Sequence, residues 1–250
     1  GIKANNDFPI DFLFENLEIQ SSIIKASYTS GVDRLIFLGS SCIYPKNSKI
    51  PIKEEYLLTS ELEKTNRPYA LAKISGIEMC WSYNRQRNTN YFSVMPTNLY
   101  GPNDNYDSET SHVLPALVKK IHQAKINNLP EVEIWGTGVP KREFLHSDDL
   151  ADAILFLINL DKNVFDRLTH ENVCPIINVG SETEVSINQL ANLIKKIIGF
   201  NGNFIFDTSK PDGTLRKMMS SKKIFDLGWR PKINLESGIN SVYKDYLKNI

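Results

Sequence analysis

The sequence predicts an α/β fold: a doubly wound parallel sheet joined to a smaller α+β domain. Residues 34–38 and 91–95 form two short apolar runs, typical of parallel strands buried on both faces. A long segment with helical character precedes each run, and alternation of helix and strand is typical of such sheets. The chain has 250 residues, enough for one large domain or two small ones.

The first half of the chain supplies the predicted sheet. Residues 11–28 carry apolar side chains near helical spacing, and Gly31 is a plausible stop. The strand over residues 34–38 ends in Gly39. After an irregular polar stretch, Asn66 can cap a helix with Pro68 in its first turn. We expect that helix to run to about residue 87 and the second strand to follow it.

The second half predicts shorter, mixed elements. We expect helices over residues 112–127, 148–160 and 187–199, the last capped by Ser186, and strands over residues 132–135 and 176–179. We assign residues 1–98 and about 143–178 to the sheet domain. Residues 99–142 and 179–250 then form the smaller domain.

Composition excludes several classes of partner. The 29 basic and 29 acidic residues cancel, so neither nucleic acid nor an anionic membrane is an expected partner. No run approaches the roughly 18 apolar residues of a membrane span, and the first residues do not resemble a signal peptide. Cys42, Cys80 and Cys174 lack metal or disulfide spacing, which predicts no metal site and a cytoplasmic protein.

Tyr69 and Lys73 are candidates for acid–base chemistry. At a spacing of four they share one helix face. A nearby ammonium favours the phenolate, so Lys73 is expected to lower the pKa of Tyr69 toward working pH. Such a pair also arises by chance in many chains, and the pair alone is a hypothesis.

A second candidate, Gly39-Ser40-Ser41-Cys42, directly follows the first strand. Ligands bind beyond the carboxyl ends of strands in these sheets, and small hydroxyl residues there can hydrogen-bond a carbonyl oxygen. The alternative is an ordinary serine-rich turn. A carbonyl reductase needs a proton donor and an oxyanion partner near one carbonyl, so the two candidates support each other.

These motifs resemble the extended short-chain dehydrogenases, and within them the GDP-L-fucose synthase family. The resemblance lies in six segments in the family's order, over most of the chain: residues 38–46, 68–73, 95–102, 111–117, 142–146 and 209–214. It implies a Rossmann-like fold, NADP(H) as cofactor, and GDP-4-keto-6-deoxy-D-mannose as substrate. The implied reaction epimerises C3 and C5 and then reduces the C4 ketone, which gives GDP-L-fucose.

The resemblance also implies a role for each reducing residue. Ser40 matches the catalytic serine, Tyr69 the proton donor to the C4 oxygen, and Lys73 the residue that tunes the tyrosine and holds the nicotinamide ribose. The cofactor would be lined by these and neighbouring residues: Leu38, Gly39, Ser40, Ser41, Tyr69, Lys73, Pro96, Thr97, Asn98, Leu99 and His112.

Epimerisation at C3 and C5 would need a base and an acid. Cys42 resembles the family's base and His112 its acid. A free thiol has a pKa near 8.5, so Cys42 would need local help to act as a thiolate. The alternatives are a small buried cysteine and a histidine bonded to the backbone at a helix start.

The nucleotide sugar would be held by Lys120, Trp135, Arg142 and Asp212. A guanidinium such as that of Arg142 suits a diphosphate. Lys120 stands where the family carries arginine, so the charge is kept without the bidentate fork. The resemblance also implies a homodimer that pairs two long helices from each subunit, here residues 11–28 and 69–87.

No Gly-rich dinucleotide turn occurs in the sequence, since Gly136-Thr137-Gly138 falls far downstream of the place where the fold needs it. We expect that turn, with the first strands, to precede residue 1. Two alternatives remain: a 4-reductase for a related GDP-4-keto sugar, such as a heptose or colitose precursor, and a non-catalytic fragment that binds sugar nucleotides.

Overall fold

The structure is a computed structural model that describes residues 2–107, 110–170, 174–210 and 212–250. The helices are α1 (Ile2–Asp7), α2 (Pro9–Thr29), α3 (Arg67–Arg87), α4 (Val113–Ile126), α5 (Ser147–Ile158), α6 (Lys162–His170), α7 (Ile187–Ile198), α8 (Lys222–Asp226) and α9 (Leu235–Lys248). The strands are β1 (Arg34–Leu38), β2 (Asn90–Pro96), β3 (Asn98–Tyr100), β4 (Glu131–Trp135), β5 (Lys141–His146), β6 (Ile176–Val179), β7 (Glu184–Ser186) and β8 (Asn203–Asp207).

A parallel sheet in the order β1-β2-β6 organises the first half of the molecule. Side chains of β2 alternate between its two faces. Phe92 and Val94 lie in a core with residues of α5 and α6. Tyr91 and Met95 lie in the opposite core, which α2 and α3 cover. Helices on both faces of a parallel sheet make this a Rossmann-like α/β fold, as the apolar runs predict.

Close packing seats α3 on the sheet. A Cβ atom added at Gly76 would lie 2.4 Å from the Phe37 ring of β1, so glycine is needed where the helix crosses the strand. The Gln20 side chain of α2 donates to the Ala72 carbonyl of α3 at 2.6 Å. The helix that carries Tyr69 and Lys73 is therefore fixed on both sides.

The second lobe has its own apolar core. Helices α4, α7 and α9 pack against β4 and β5 through Val118, Ile121, Ile194, Val242 and Ile134. Strand β4 pairs with β8, and β5 joins β3 to β7. Two later residues, Ile224 and Trp229, pack in the core of the first lobe with Phe92. Within the described ranges, each helix is too short or too polar to span a lipid bilayer.

The predicted helices and strands are confirmed to within about two residues. Ser186 caps α7 with a full capping box, and Gly199 ends it in a left-handed conformation. Asn66 occupies the N-cap of α3 as predicted, but its side chain makes no capping hydrogen bond. The sequence analysis did not predict several elements: α1, α6, α8, α9, β3, β5, β7 and β8.

Candidate active site

The carboxyl end of β1 opens directly into the candidate site. Ser40 caps a 3₁₀ turn over Ser41–Ile43, and its hydroxyl oxygen accepts the Cys42 backbone N–H at 3.2 Å. Ser41 is buried, while Leu38 remains 44% exposed. The turn thus directs the Ser40 and Cys42 side chains beyond the strand end, where ligands of parallel sheets bind.

Helix α3 brings Tyr69 and Lys73 to the same place. Tyr69 lies next to Ser40 and Cys42, and the Ser40 side chain hydrogen-bonds it. The Lys73 ammonium donates to the Leu38 carbonyl at 3.1 Å and lies 5.7 Å from the centroid of the Tyr69 ring. The turn that follows β1 and one face of α3 therefore contribute side chains to a single site.

The protonation of Tyr69 differs from the expectation. Burial raises the pKa of Tyr69, the neighbouring Cys42 charge raises it further, and the Ser40 hydrogen bond only partly offsets them. The net shift of the Tyr69 pKa is therefore upward, even though the Lys73 ammonium lies near the ring. Burial in turn lowers the pKa of Lys73. The lowered pKa expected for Tyr69 is thus not found in this structure, where the phenol is favoured. The role of Lys73 toward Tyr69 stays a prediction.

Cys42 is shifted in the opposite direction. The Lys217 ammonium lies 3.6 Å from the Cys42 sulfur. Burial raises the pKa of Cys42, but the Lys217 charge and the Ser40 hydrogen bond outweigh it, so that the pKa is lowered. The local stabilisation that a Cys42 thiolate needs therefore comes from Lys217, which was not predicted from the sequence.

His112 sits at the N-cap of α4, and its side chain makes no capping hydrogen bond. The alternative interpretation, in which the His112 side chain hydrogen-bonds the backbone at the helix start, is therefore wrong. Burial lowers the pKa of His112, and the nearby Asp104 carboxylate partly restores it.

The residues after β2 serve mainly to hold the backbone. The Asn98 side chain donates to the Glu143 carbonyl at 2.8 Å, and the Thr97 hydroxyl donates to the same oxygen at 3.3 Å. Thr97 is buried and Leu99 is 37% exposed. Of the predicted cofactor residues 96–99, Leu99 therefore offers a side chain to solvent, whereas Thr97 and Asn98 link β2 to β5.

A second group of polar residues lies in the smaller lobe. Trp135 is 64% exposed, and the ammonium groups of Lys120 and Lys210 lie 5.7 and 5.6 Å from its ring centroid. Arg142 donates to the Thr214 carbonyl at 2.6 Å. Cations and an exposed indole ring together suit a phosphate-bearing base.

Asp212 is fixed by Thr137. Its two carboxylate oxygens accept the Thr137 backbone N–H at 2.9 Å and the Thr137 hydroxyl at 2.7 Å, and these bonds lower the pKa of Asp212. Gly136 has a φ of +79°, and a Cβ there would lie 2.3 Å from the Asp212 carboxylate. Pro211, within one of the six motif segments, lies outside the described residues.

Known proteins share this sequence and this architecture. The family model of the NAD dependent epimerase/dehydratase family matches residues 1–174. GDP-L-fucose synthase 1 of Arabidopsis thaliana is 52% identical over 250 residues, which are 100% of this chain and 74% of that protein.

The chain belongs to the GDP-L-fucose synthase family.

Solved structures of related enzymes have the same fold. A GDP-6-OMe-4-keto-L-xylo-heptose reductase from C. jejuni superimposes with a TM-score of 0.88 at 38% identity, covering 99% of this chain and 79% of its own. A GDP-L-fucose synthetase from Naegleria fowleri bound to NADP gives a TM-score of 0.84 at 32% identity, covering 97% and 74%.

Within this family framework, the structure brings some predicted residues together. One group at the end of β1 joins Ser40, Cys42, Tyr69 and Lys73, and another in the smaller lobe joins Lys120 to Trp135 and Arg142 to Asp212. Lys217 and Thr137 were missed. Thr137 lies in a turn between two glycines, which is a sequence signal that could have indicated it. Lys217 contacts Cys42 only because of the fold, since the two residues are 175 positions apart in the sequence.

Proposed function

We propose that this chain carries out NADPH-dependent conversion of GDP-4-keto-6-deoxy-D-mannose to GDP-L-fucose, by epimerisation at C3 and C5 and then reduction at C4. The observation that most directly supports this activity is the grouping of Ser40, Cys42 and Tyr69 at one strand end. Acid–base groups and a hydroxyl donor around one point are what a keto sugar needs for both steps.

The epimerisation uses groups with opposite protonation. Hydrogens on C3 and C5 are acidic because both carbons flank the C4 ketone. Cys42, with its lowered pKa, accepts such a proton as a thiolate, and His112 returns one to the opposite face. The Ser40 hydroxyl supports the negative charge that develops on the C4 oxygen.

The reduction ends with a proton from Tyr69. Because its pKa is raised, Tyr69 stays protonated at neutral pH and holds the proton that the C4 oxygen receives. NADPH supplies the hydride when it is bound. The donor set fits that cofactor: Lys73 lies at the strand end beside the exposed Leu38, and no carboxylate pairs with it among the residues that the structure describes.

The GDP portion would lie in the smaller lobe. Trp135 offers its exposed face to the base, Arg142 and Lys120 offer positive charge to the diphosphate, and the Thr137-bound Asp212 offers a fixed carboxylate. Assignment of residues 1–98 and about 143–178 to a cofactor domain, and the rest to a substrate domain, belongs to the same proposal. Ile224 and Trp229 would then reach back onto the cofactor domain.

We further propose a cytoplasmic homodimer. Cys42, Cys80 and Cys174 are free thiols, as expected in a reducing compartment. The outer surfaces of α2 and α3 form a groove lined by Tyr28, Met79 and Tyr83 together with polar side chains such as Glu78 and Arg87. Helix α2 also exposes the apolar side chains of Phe14, Ile19 and Ile23. A groove of this kind suits the same helices of a second copy.

One assay separates this function from its alternatives. The purified protein is incubated with NADPH and the 4-keto sugar in heavy water, and the product is analysed by NMR. GDP-L-fucose with deuterium at C3 and C5 is expected. Reduction without deuterium would instead indicate a 4-reductase of the heptose type, which the similarity to the C. jejuni reductase makes the second candidate. Sugar-nucleotide binding without turnover would indicate a non-catalytic fragment.

A further inference from the structure

A segment from the smaller lobe, residues 212–219, crosses the candidate site, and we call it the strap. Its backbone is fixed on both sides of Lys217. The Leu215 carbonyl accepts the Lys141 N–H at 2.9 Å, and the Met218 carbonyl accepts the Ile52 N–H at 2.8 Å. The Lys217 side chain therefore leaves a backbone that is held to both lobes.

Neighbouring side chains on the strap diverge. Arg216 turns toward β7, where its Nε lies 3.0 Å from a carboxylate oxygen of the buried Glu184 side chain. Lys217 turns the other way and contacts the Cys42 sulfur at 3.6 Å. Because Arg216 is paired with Glu184, Lys217 is the positively charged residue of the strap that contacts the Cys42 thiol.

Other charged groups near Cys42 do not replace Lys217. The titratable side chains facing this cleft are Tyr44 from the turn after Cys42, Tyr69 from α3, Arg216 and Lys217 from the strap, and Lys46 and Glu63 from the loop before α3. The Tyr44 hydroxyl donates to the Asn178 side chain, and burial raises the pKa of Tyr44, so that it stays uncharged. Lys46 is paired with Glu63 at 3.0 Å. Tyr69 is neutral, since burial raises its pKa.

We propose that Lys217 is a positioning residue that holds the Cys42 sulfur as a thiolate for proton abstraction, a role that rests on the proposed epimerisation. The thiolate takes the proton from C3 or C5, and the electron pair of that C–H bond moves to the C4 oxygen as an enolate. Cys42 becomes a neutral thiol.

Ionisation of Cys42 can be measured without any substrate. Iodoacetamide reacts with the thiolate, so the alkylation rate of the Cys42 peptide against pH, followed by mass spectrometry, reports its titration. Cys80 and Cys174 interfere little, because burial raises the pKa of each to about 12.

The variants are Lys217→Met, Lys217→Arg and the surface control Lys222→Met, which removes an exposed lysine paired with Asp226. We expect Lys217→Met to move the alkylation midpoint upward by about one pH unit, slowing reaction at pH 7 by roughly tenfold. Lys217→Arg should restore most of the shift, and the control should match the wild type. Coincident wild-type and Lys217→Met profiles would overturn the inference.

A second readout separates this role from substrate binding. If Lys217 acts through Cys42, Lys217→Met lowers kcat for deuterium exchange at pH 7 and regains part of it at higher pH. A raised KM with an unchanged Cys42 titration would overturn the inference and make Lys217 a substrate ligand. A shifted titration in a protein whose wild type does not epimerise would support the ion pair and count against the proposed function.

Discussion

At the scale of single residues, the pKa values of two half-buried acids in one site are shifted in opposite directions. Burial disfavours the charged form of both Tyr69 and Cys42. Cys42 has the Lys217 ammonium beside it and its pKa is lowered, whereas burial and the neighbouring Cys42 charge raise the pKa of Tyr69. A donor and a base that differ in this way can act together at one pH.

Tyr69→Phe removes the proposed proton donor and leaves the packing of α3 intact. We expect reduction to fall by at least about a hundredfold, the usual contribution of such a group, while sugar-nucleotide affinity is kept. Steady-state rates and substrate affinity measure the two. A rate within about threefold of the wild type, some 0.6 kcal/mol of barrier, would exclude Tyr69 as the donor.

Cys42→Ser replaces the thiol by a hydroxyl that does not ionise near neutral pH. We expect deuterium exchange at C3 and C5 to stop while reduction of an already epimerised keto sugar continues. NMR of the sugar in heavy water provides the measurement, with Cys174→Ser as a matched loss of a thiol elsewhere. Normal exchange in Cys42→Ser would return this residue to a packing role.

At the scale of elements, strand β5 and the strap meet through Glu143. Its side chain is completely buried, and the carboxylate accepts the N–H groups of Glu182 at 2.8 Å and of Met219 at 3.1 Å. One carboxylate thereby ties the base of the strap to the loop before β7.

Glu143→Gln tests that connection through its pH dependence. Burial, its largest influence, raises the pKa of Glu143. The stabilisation linked to this shift is present below the ordinary pKa of the carboxyl and is lost as pH rises through the raised value. The wild type should exceed Glu143→Gln by about 1–3 kcal/mol in unfolding free energy, by more at pH 4 than at pH 7. Urea unfolding at both values, with exposed Glu236→Gln as control, measures this, and a constant difference would contradict it.

The elements that sequence could predict are those with a local signal. Strand β2 is apolar at four of the five positions from Tyr91 to Met95, and its burial on both faces follows from that pattern. Helix α9 also carried a signal, a cap at Asn234 and apolar residues at Ile239, Val242 and Tyr246, and could have been found. Strand β5 could not, because its buried Glu143 is stabilised by backbone groups far along the chain.

At the scale of the whole molecule, the sequence motifs predicted the reducing site but not its surroundings. Ser40, Tyr69 and Lys73 stand at fixed distances from a strand end and along a helix, so local geometry already groups them. The contact of Lys217 with Cys42 depends on how two lobes are joined. No spacing along the chain encodes it.

Assembly of two copies through α2 and α3 is tested by Met79→Glu. A carboxylate placed in the groove between Tyr28 and Tyr83 would add a second negative charge beside Glu78 and would have to lose its water in the proposed interface. We expect monomers by size-exclusion chromatography with light scattering, against dimers for the wild type and for Asn192→Glu on the exposed side of α7. Dimers of the Met79 variant would place the interface elsewhere.

The strap joins two tasks that lie far apart on the substrate. Asp212, at one end, lies against Thr137 beside the proposed nucleotide site, and Lys217, five positions later, contacts the sulfur of Cys42, the proposed base. The binding energy of contacts to the guanosine diphosphate can therefore serve to position the Cys42 thiolate rather than to tighten ground-state binding of the substrate. A keto sugar without its nucleotide would then be turned over more slowly as well as bound more weakly, because it lacks the GDP contacts that position the distant thiolate through the strap.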